Sequence, residues 1–131
     1  MHGDLGIVRK GDVIILISNS GETEEITRLL PALKRLAVRI IALVGNVDST
    51  MARAADICLD AAIDKEACPL NLAPTTSTLA ALVLGDALAV ALMERSGFRP
   101  ADFAATHPGG KLGKKLLHTA KDHMRSHDLP F

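Results

Sequence analysis

The chain has 131 residues, 48% apolar and 23% charged, with Lys plus Arg equal to Asp plus Glu at 15 each. That length and apolar content fit one soluble globular domain and exclude a disordered segment. With a formal net charge of zero, no positive excess exists to drive a nucleic-acid or anionic-membrane surface, so any anion site must be local.

The first β-rich run is Asp12 to Ile17 and the second Val38 to Val44. Both are nearly continuously apolar, which predicts parallel strands buried on both faces. Between them, Glu22 to Leu36 places Ile26, Leu29, Leu30, Leu33 and Leu36 at helical spacing, with Pro31 discordant inside the run. A strand-helix-strand unit follows, with a right-handed crossover. After Gly45-Asn46 the pattern predicts a short helix from Ser49, as its cap, to Ala55, then a third strand at Ile57 to Leu59. Residues 61–74 hold Pro69, Asn71 and Pro74 and follow neither period, which predicts a loop of functional length. A long helix is expected from Thr75 to about Ser96, ended by Gly97, with Ala80, Leu84, Leu88 and Leu92 as its buried stripe. Its apolar run, Leu79 to Met93, is interrupted by Gly85 and Asp86 and falls short of the ~18 to 20 residues of a membrane span, so a core helix is expected. From Phe98 to Leu117 short helices surround His107-Pro-Gly-Gly110, and the last dozen residues read as loose.

Three Phe with no Trp or Tyr are too few for base-stacking platforms. Cys58 and Cys68 make no C-x-x-C pair and follow no signal peptide, which predicts reduced thiols in a cytoplasmic protein. The residue spacings give no metal site. No G-x-G-x-x-G or G-x-S-x-G occurs, and Gly109-Gly-Lys-Leu-Gly-Lys-Lys115 lacks P-loop spacing.

In parallel α/β sheets, ligands sit beyond the carboxyl ends of the strands, where turns present backbone N–H groups and helix dipoles. Ser18-Asn-Ser-Gly-Glu-Thr23 follows a strand and precedes a helix, and its hydroxyls, glycine and unpaired amides suit a phosphate cradle. Thr75-Thr-Ser-Thr78 opens the longest helix with more hydroxyls than one cap requires. Together they suggest a phosphate monoester. The plainer alternative is that Ser18-Asn19-Ser20 is only a turn and Thr75 only a cap. His2, Glu25, Glu66 and His107 lie near turns and are the acid–base candidates. Their plainer alternatives are an exposed terminal residue, a first-turn carboxylate, a loop charge and a cap.

Several segments occur in a telling order: His2-Gly-Asp-Leu-Gly6, Ser18-Asn-Ser-Gly-Glu-Thr23, Ala52-Arg-Ala-Ala-Asp56, Lys65-Glu-Ala-Cys-Pro-Leu-Asn-Leu-Ala-Pro-Thr-Thr-Ser-Thr78, Gly85-Asp-Ala-Leu-Ala-Val-Ala-Leu92 and His107-Pro-Gly-Gly-Lys-Leu-Gly113. With them the chain closely resembles the sugar isomerase (SIS) domain of the D-arabinose 5-phosphate isomerases, over nearly everything from His2 to Leu117. The resemblance implies an α/β fold, a three-layer αβα, doubly wound parallel sheet. Residues 1–117 would be the C-terminal portion of the SIS domain and 118–131 a linker.

It also implies aldose–ketose isomerisation of D-ribulose 5-phosphate to D-arabinose 5-phosphate through a cis-enediol, feeding the Kdo sugar of lipopolysaccharide, with no cofactor. His2, Glu25, Glu66 and His107 would be catalytic, with Glu66 or Glu25 handling the carbon proton. Ser18, Asn19, Ser20, Gly21, Thr23, Thr75, Ser77 and Thr78 would hold phosphate or sugar oxygens. The expected partners are a phosphosugar and further copies of the chain, a tetramer in the family, with neither nucleic acid nor membrane. Against the family pattern, the opening helices, two N-terminal strands and a glycine-rich turn precede the point where this sequence begins, and paired CBS domains follow where it stops. Little isolated activity and association through the exposed face are therefore expected. The alternative function is a phosphosugar-sensing SIS module that binds without turnover; it would need the hydroxyls but not Glu66 or His107.

Overall fold

The computed structural model describes residues 4–107 and Gly110. A 3₁₀ turn, Asp4–Ile7, precedes three parallel strands, β1 (Val13–Ser18), β2 (Arg39–Val44) and β3 (Ile57–Asp60), in the order β1-β2-β3. Each strand boundary lies within one residue of the apolar run that announces it. The register sets Ser18 opposite Val44 and Val44 opposite Asp60, so the three carboxyl ends finish at one edge.

The single helix expected over Glu22 to Leu36 is two, α1 (Glu24–Thr27) and α2 (Leu30–Arg35), with Pro31 in the first turn of the second. Proline has no N–H to give to a carbonyl one turn back, so the helix restarts around it. Ser49 caps α3 (Thr50–Ala54) as predicted, its Oγ accepting the Ala52 N–H at 3.3 Å. α1, α2 and α3 bury one face of the sheet around Leu16, Leu30, Leu33, Ile40, Ala42, Val44 and Met51.

The other face departs from expectation. Val13, Ile15 and Ile17 of β1 are 48% to 56% exposed, so β1 is buried on one side only. The loop over residues 61–75 leads to α4 (Thr76–Ser96). The predicted stripe on α4 is not buried: Ala80, Leu84 and Leu88 are half-buried and Leu92 is exposed. α4 is apolar around most of its circumference, and no strand or helix of the described residues packs closely along it. It also outruns the apolar stretch at both ends. At 21 residues and mean hydropathy 1.8 it is long and apolar enough to cross a membrane by length and composition, a test that core helices of soluble proteins also pass.

The chain divides into two compact units, up to Ala87 and from Leu88. In the second, Gly97 at φ +65° ends α4, with the Phe98 N–H on the Met93 carbonyl at 3.0 Å, a Schellman closure. α5 (Pro100–Thr106) follows, capped by Asp102, which accepts the Arg99 N–H at 2.9 Å.

Leu33 is 2% exposed whereas Leu70 is 74% exposed. Leu33→Ala is expected to cost about 2–5 kcal/mol in urea unfolding of the full chain, and Leu70→Ala under about 0.5 kcal/mol. Equal losses would place the core elsewhere.

Candidate functional site

The turn after β1 is built from hydroxyls that bond to one another. Ser18 Oγ lies 2.7 Å from Thr23 Oγ1 and 3.4 Å from Ser20 Oγ, and it accepts the Gly21 N–H at 3.0 Å. Ser20 Oγ accepts the Glu22 N–H at 3.2 Å. The amides of Gly21 and Glu22, expected to be unpaired, are thus engaged within the turn. Thr23 precedes α1 without capping it, so first-turn amides are left for solvent or a ligand.

This turn is pressed onto the one after β2. A Cβ on Gly21, whose φ is +66°, would fall 2.0 Å from Ser49 Oγ, and one on Gly45 would fall 2.4 Å from Asn19 Oδ1. Only glycine fits either place. The Met51 N–H donates to the Gly21 carbonyl at 3.1 Å, the Gly45 N–H to the Asn19 carbonyl at 2.9 Å, and the Thr50 N–H to Glu22 Oε1 at 2.7 Å. The bond from Thr50 holds the Glu22 carboxyl below its ordinary range.

The second hydroxyl cluster is organised by Glu66. Its Oε2 accepts from the Thr75 N–H (2.8 Å), the Thr75 hydroxyl (2.9 Å) and the Ser77 N–H (3.2 Å), and its Oε1 accepts from the Ser77 hydroxyl. These donors, the Ser77 hydroxyl foremost, pull the carboxyl down to about 2. The loop is closed further by the Glu66 N–H on Asn71 Oδ1 (2.6 Å) and the Ala67 N–H on Thr75 Oγ1 (2.9 Å), with Asn71 at φ +53°. Backbone N–H groups of Ala73, Leu72 and Leu70 lower the Cys68 thiol, and Cys58 and Cys68 are both free.

A cavity of about 530 Å³ opens where the two turns face each other, lined among others by Ile17, Leu43, Pro74, Ala81 and Leu82. Of the predicted residues, Ser18, Asn19, Ser77 and Thr78 line it together. Ser20, Gly21, Thr23 and Thr75 stand behind this lining. Glu25 is exposed on α1, away from the cavity wall. His107 follows α5 in the second unit, stacked on Phe103 with ring centroids 4.3 Å apart. Its Nδ1 meets the Thr106 hydroxyl (2.9 Å) and the Phe103 carbonyl (3.3 Å), which leaves Nε2 for proton transfer. His2 lies outside the described residues. Among those described, no group of three His, Cys, Asp or Glu is placed to hold a metal.

Sequence reasoning missed Glu22, Gly45, Ser49 and Asn71 as shapers of this site. Glu22 and Gly45 sit in segments that were read, but their partners, 26 to 28 residues away, leave no local signal.

Asp56 joins the two glutamates, its carboxyl lowered by the Ile40 N–H at 2.8 Å. All three carboxyls bind protons less readily folded than unfolded. The stability they give is complete above the unfolded values, 4.5 for Glu66 and 3.8 for Asp56, and is lost as pH falls through the folded values, about 2 for Glu66. The urea midpoint of the full chain is therefore expected to hold steady down to about pH 5 and to fall below it. A midpoint unchanged down to about pH 3 would contradict these bonds.

The SIS domain family model matches residues 1–91. The arabinose 5-phosphate isomerase KdsD of Pseudomonas aeruginosa is 55% identical over 94% of this chain and 38% of its own length. That of Escherichia coli K12 is 59% identical over 97% of this chain and 39% of its own. The chain thus spans about two fifths of the curated relatives it matches. A solved Escherichia coli CFT073 structure in complex with arabinose 5-phosphate superposes with a TM-score of 0.79 at 47% identity, over 82% of this chain and 57% of that one. The parallel sheet, its flanking helices and the matched residues agree: the chain belongs to the SIS domain family.

Proposed function

We propose that the protein carrying this chain interconverts D-ribulose 5-phosphate and D-arabinose 5-phosphate, supplying the Kdo sugar of lipopolysaccharide in the cytoplasm, and works as an assembly of several copies. The observation that carries the reading is the hydroxyl turn Ser18–Thr23, whose Ser18 and Asn19 line the cavity, in a chain more than half identical to proteins named arabinose 5-phosphate isomerase.

The reaction moves one carbon-bound proton. From the ketose, a base takes a proton from C1, the enediol forms as O2 gains a proton, and return of a proton to C2 with loss of the O1 proton gives the aldehyde. No electron leaves the sugar, so no redox partner is required. Glu25 and the two histidines, His2 and His107, are the groups of this chain assigned to proton traffic, with Nε2 of His107 as its working nitrogen. The Ser18–Thr23 hydroxyls and the uncapped first turn of α1 would hold the phosphate.

The test is binding and turnover by the full-length protein that carries this chain. D-arabinose 5-phosphate is expected to bind in calorimetry and to yield ketose. Ser18→Ala, which removes a cavity-lining hydroxyl donor to a charged group, should weaken binding about tenfold, since such bonds contribute about 1.5–3 kcal/mol. The same variant should leave the weak binding of unphosphorylated D-arabinose unchanged. Binding without ketose formation would favour a phosphosugar sensor; no binding would overturn both.

A further inference from the structure

Resting on the isomerase reading, we infer that Glu66 is a positioning residue: its carboxylate clamps the start of α4 to the 66–75 loop and thereby sets Pro74, Ser77 and Thr78 in the cavity wall, and it does not carry the substrate's carbon proton.

An ionised carboxylate offers about four acceptor sites, two on each oxygen; here Oε2 takes three donors and Oε1 takes the Ser77 hydroxyl. Turning Oε2 toward a substrate carbon would break bonds to two backbone amides and the Thr75 hydroxyl at once, and turning Oε1 would give up the Ser77 hydroxyl. The pattern is that of a cap. The Leu79 N–H bonds to the Thr75 carbonyl at 3.1 Å, so Thr75 stands where α4 begins. A Thr in that place ordinarily accepts an N–H from the first turn with its own hydroxyl. Here Thr75 Oγ1 accepts from the Ala67 N–H and donates to Glu66 instead. The vacated capping role falls to Glu66, which takes the Ser77 N–H from 11 residues upstream, and a negative charge there also suits the dipole of a 21-residue helix.

Basicity points the same way. A general base works best with a pKa near the operating pH, and four donors have drawn this carboxyl far below it. The clamp also consumes the Thr75 and Ser77 donors and sets a carboxylate charge beside them, which directs a phosphate dianion to the Ser18–Thr23 turn instead.

The first experiment needs no sugar. Carbon-13 carboxyl resonances of the full chain are followed against pH, with Glu66 assigned by its loss in Glu66→Gln. Glu66 is expected to stay ionised at pH about 3.5, where an ordinary glutamate, pKa about 4.3, is mostly protonated. Titration at the ordinary value would overturn the clamp, whatever the protein's activity.

The second uses D-arabinose 5-phosphate with variants shown folded by circular dichroism. A Thr75→Val/Ser77→Ala pair keeps Glu66 but strips the hydroxyls it holds. For a clamp, this pair and Glu66→Ala each raise KM about tenfold, their combination adds little more, and Glu66→Gln, retaining one acceptor oxygen, recovers part of the loss. For a base, kcat falls by about 10²–10⁴ in both Glu66→Ala and Glu66→Gln, and Glu66→Gln recovers nothing. The second pattern overturns the inference. A wild-type chain that does not turn over would overturn the isomerase reading and leave the clamp to the carboxyl titration.

Discussion

Everything at the candidate site depends on two strand-to-helix turns meeting with no side chain between them. Parallel pairing of β1 with β2 brings their carboxyl ends to one edge, and therefore brings the turns that follow them into contact. Gly21 lies against Ser49 and Gly45 against Asn19 at separations where a Cβ would overlap. The contact is then tied by two hydrogen bonds donated from the β2 side to the turn after β1, Met51 to Gly21 and Gly45 to Asn19. Glu22 adds an ionised cap on Thr50. Ser18, Ser20 and Thr23 are consequently held as a cluster by the fold itself, so the ordering cost of assembling these hydroxyls has been met in folding.

The opposite wall uses the same physics with an internal anion. A helix N-terminus with clustered hydroxyls attracts negative charge, and at the start of α4 that charge is Glu66. The two halves of the site thereby become unequal. One side presents neutral hydroxyls and the uncapped first turn of α1, and the other presents donors already satisfied. The inequality arises from the loop and helix start between Glu66 and Ser77 rather than from any residue on the sheet.

Legibility in the sequence followed the range of the interactions. The three strands were plain because uninterrupted Val, Ile and Leu runs need no partner to be recognised, and Ser49 announced α3 by its own capping chemistry. Pro31 stood out as discordant, and its consequence, two helices in place of one, follows from a missing N–H. Burial was less legible. The stripe on α4 and the alternate residues of β1 are apolar, but periodicity reports that a face suits burial, not that an element covers it. The site divided in the same way. Its hydroxyl-rich segments were visible as motifs, while the Glu22–Thr50 and Glu66–Ser77 bonds join residues 28 and 11 apart with no shared period. The family resemblance located Glu66 among acid–base groups, and only its four donors reveal what its carboxylate is doing.

The cavity between these halves is itself polarised. Ile17, Leu43, Ala81 and Leu82 give it apolar walls, interrupted by Ser18 and Asn19. Asp86 lies nine residues beyond Ser77 on α4, about 13 Å along the helix at 1.5 Å per residue. Low-dielectric walls strengthen charge–dipole interactions at the Ser18 hydroxyl and charge–charge repulsion from Asp86 alike. In the proposed function, a phosphate in this cavity would be attracted by the Ser18 hydroxyl and repelled by Asp86.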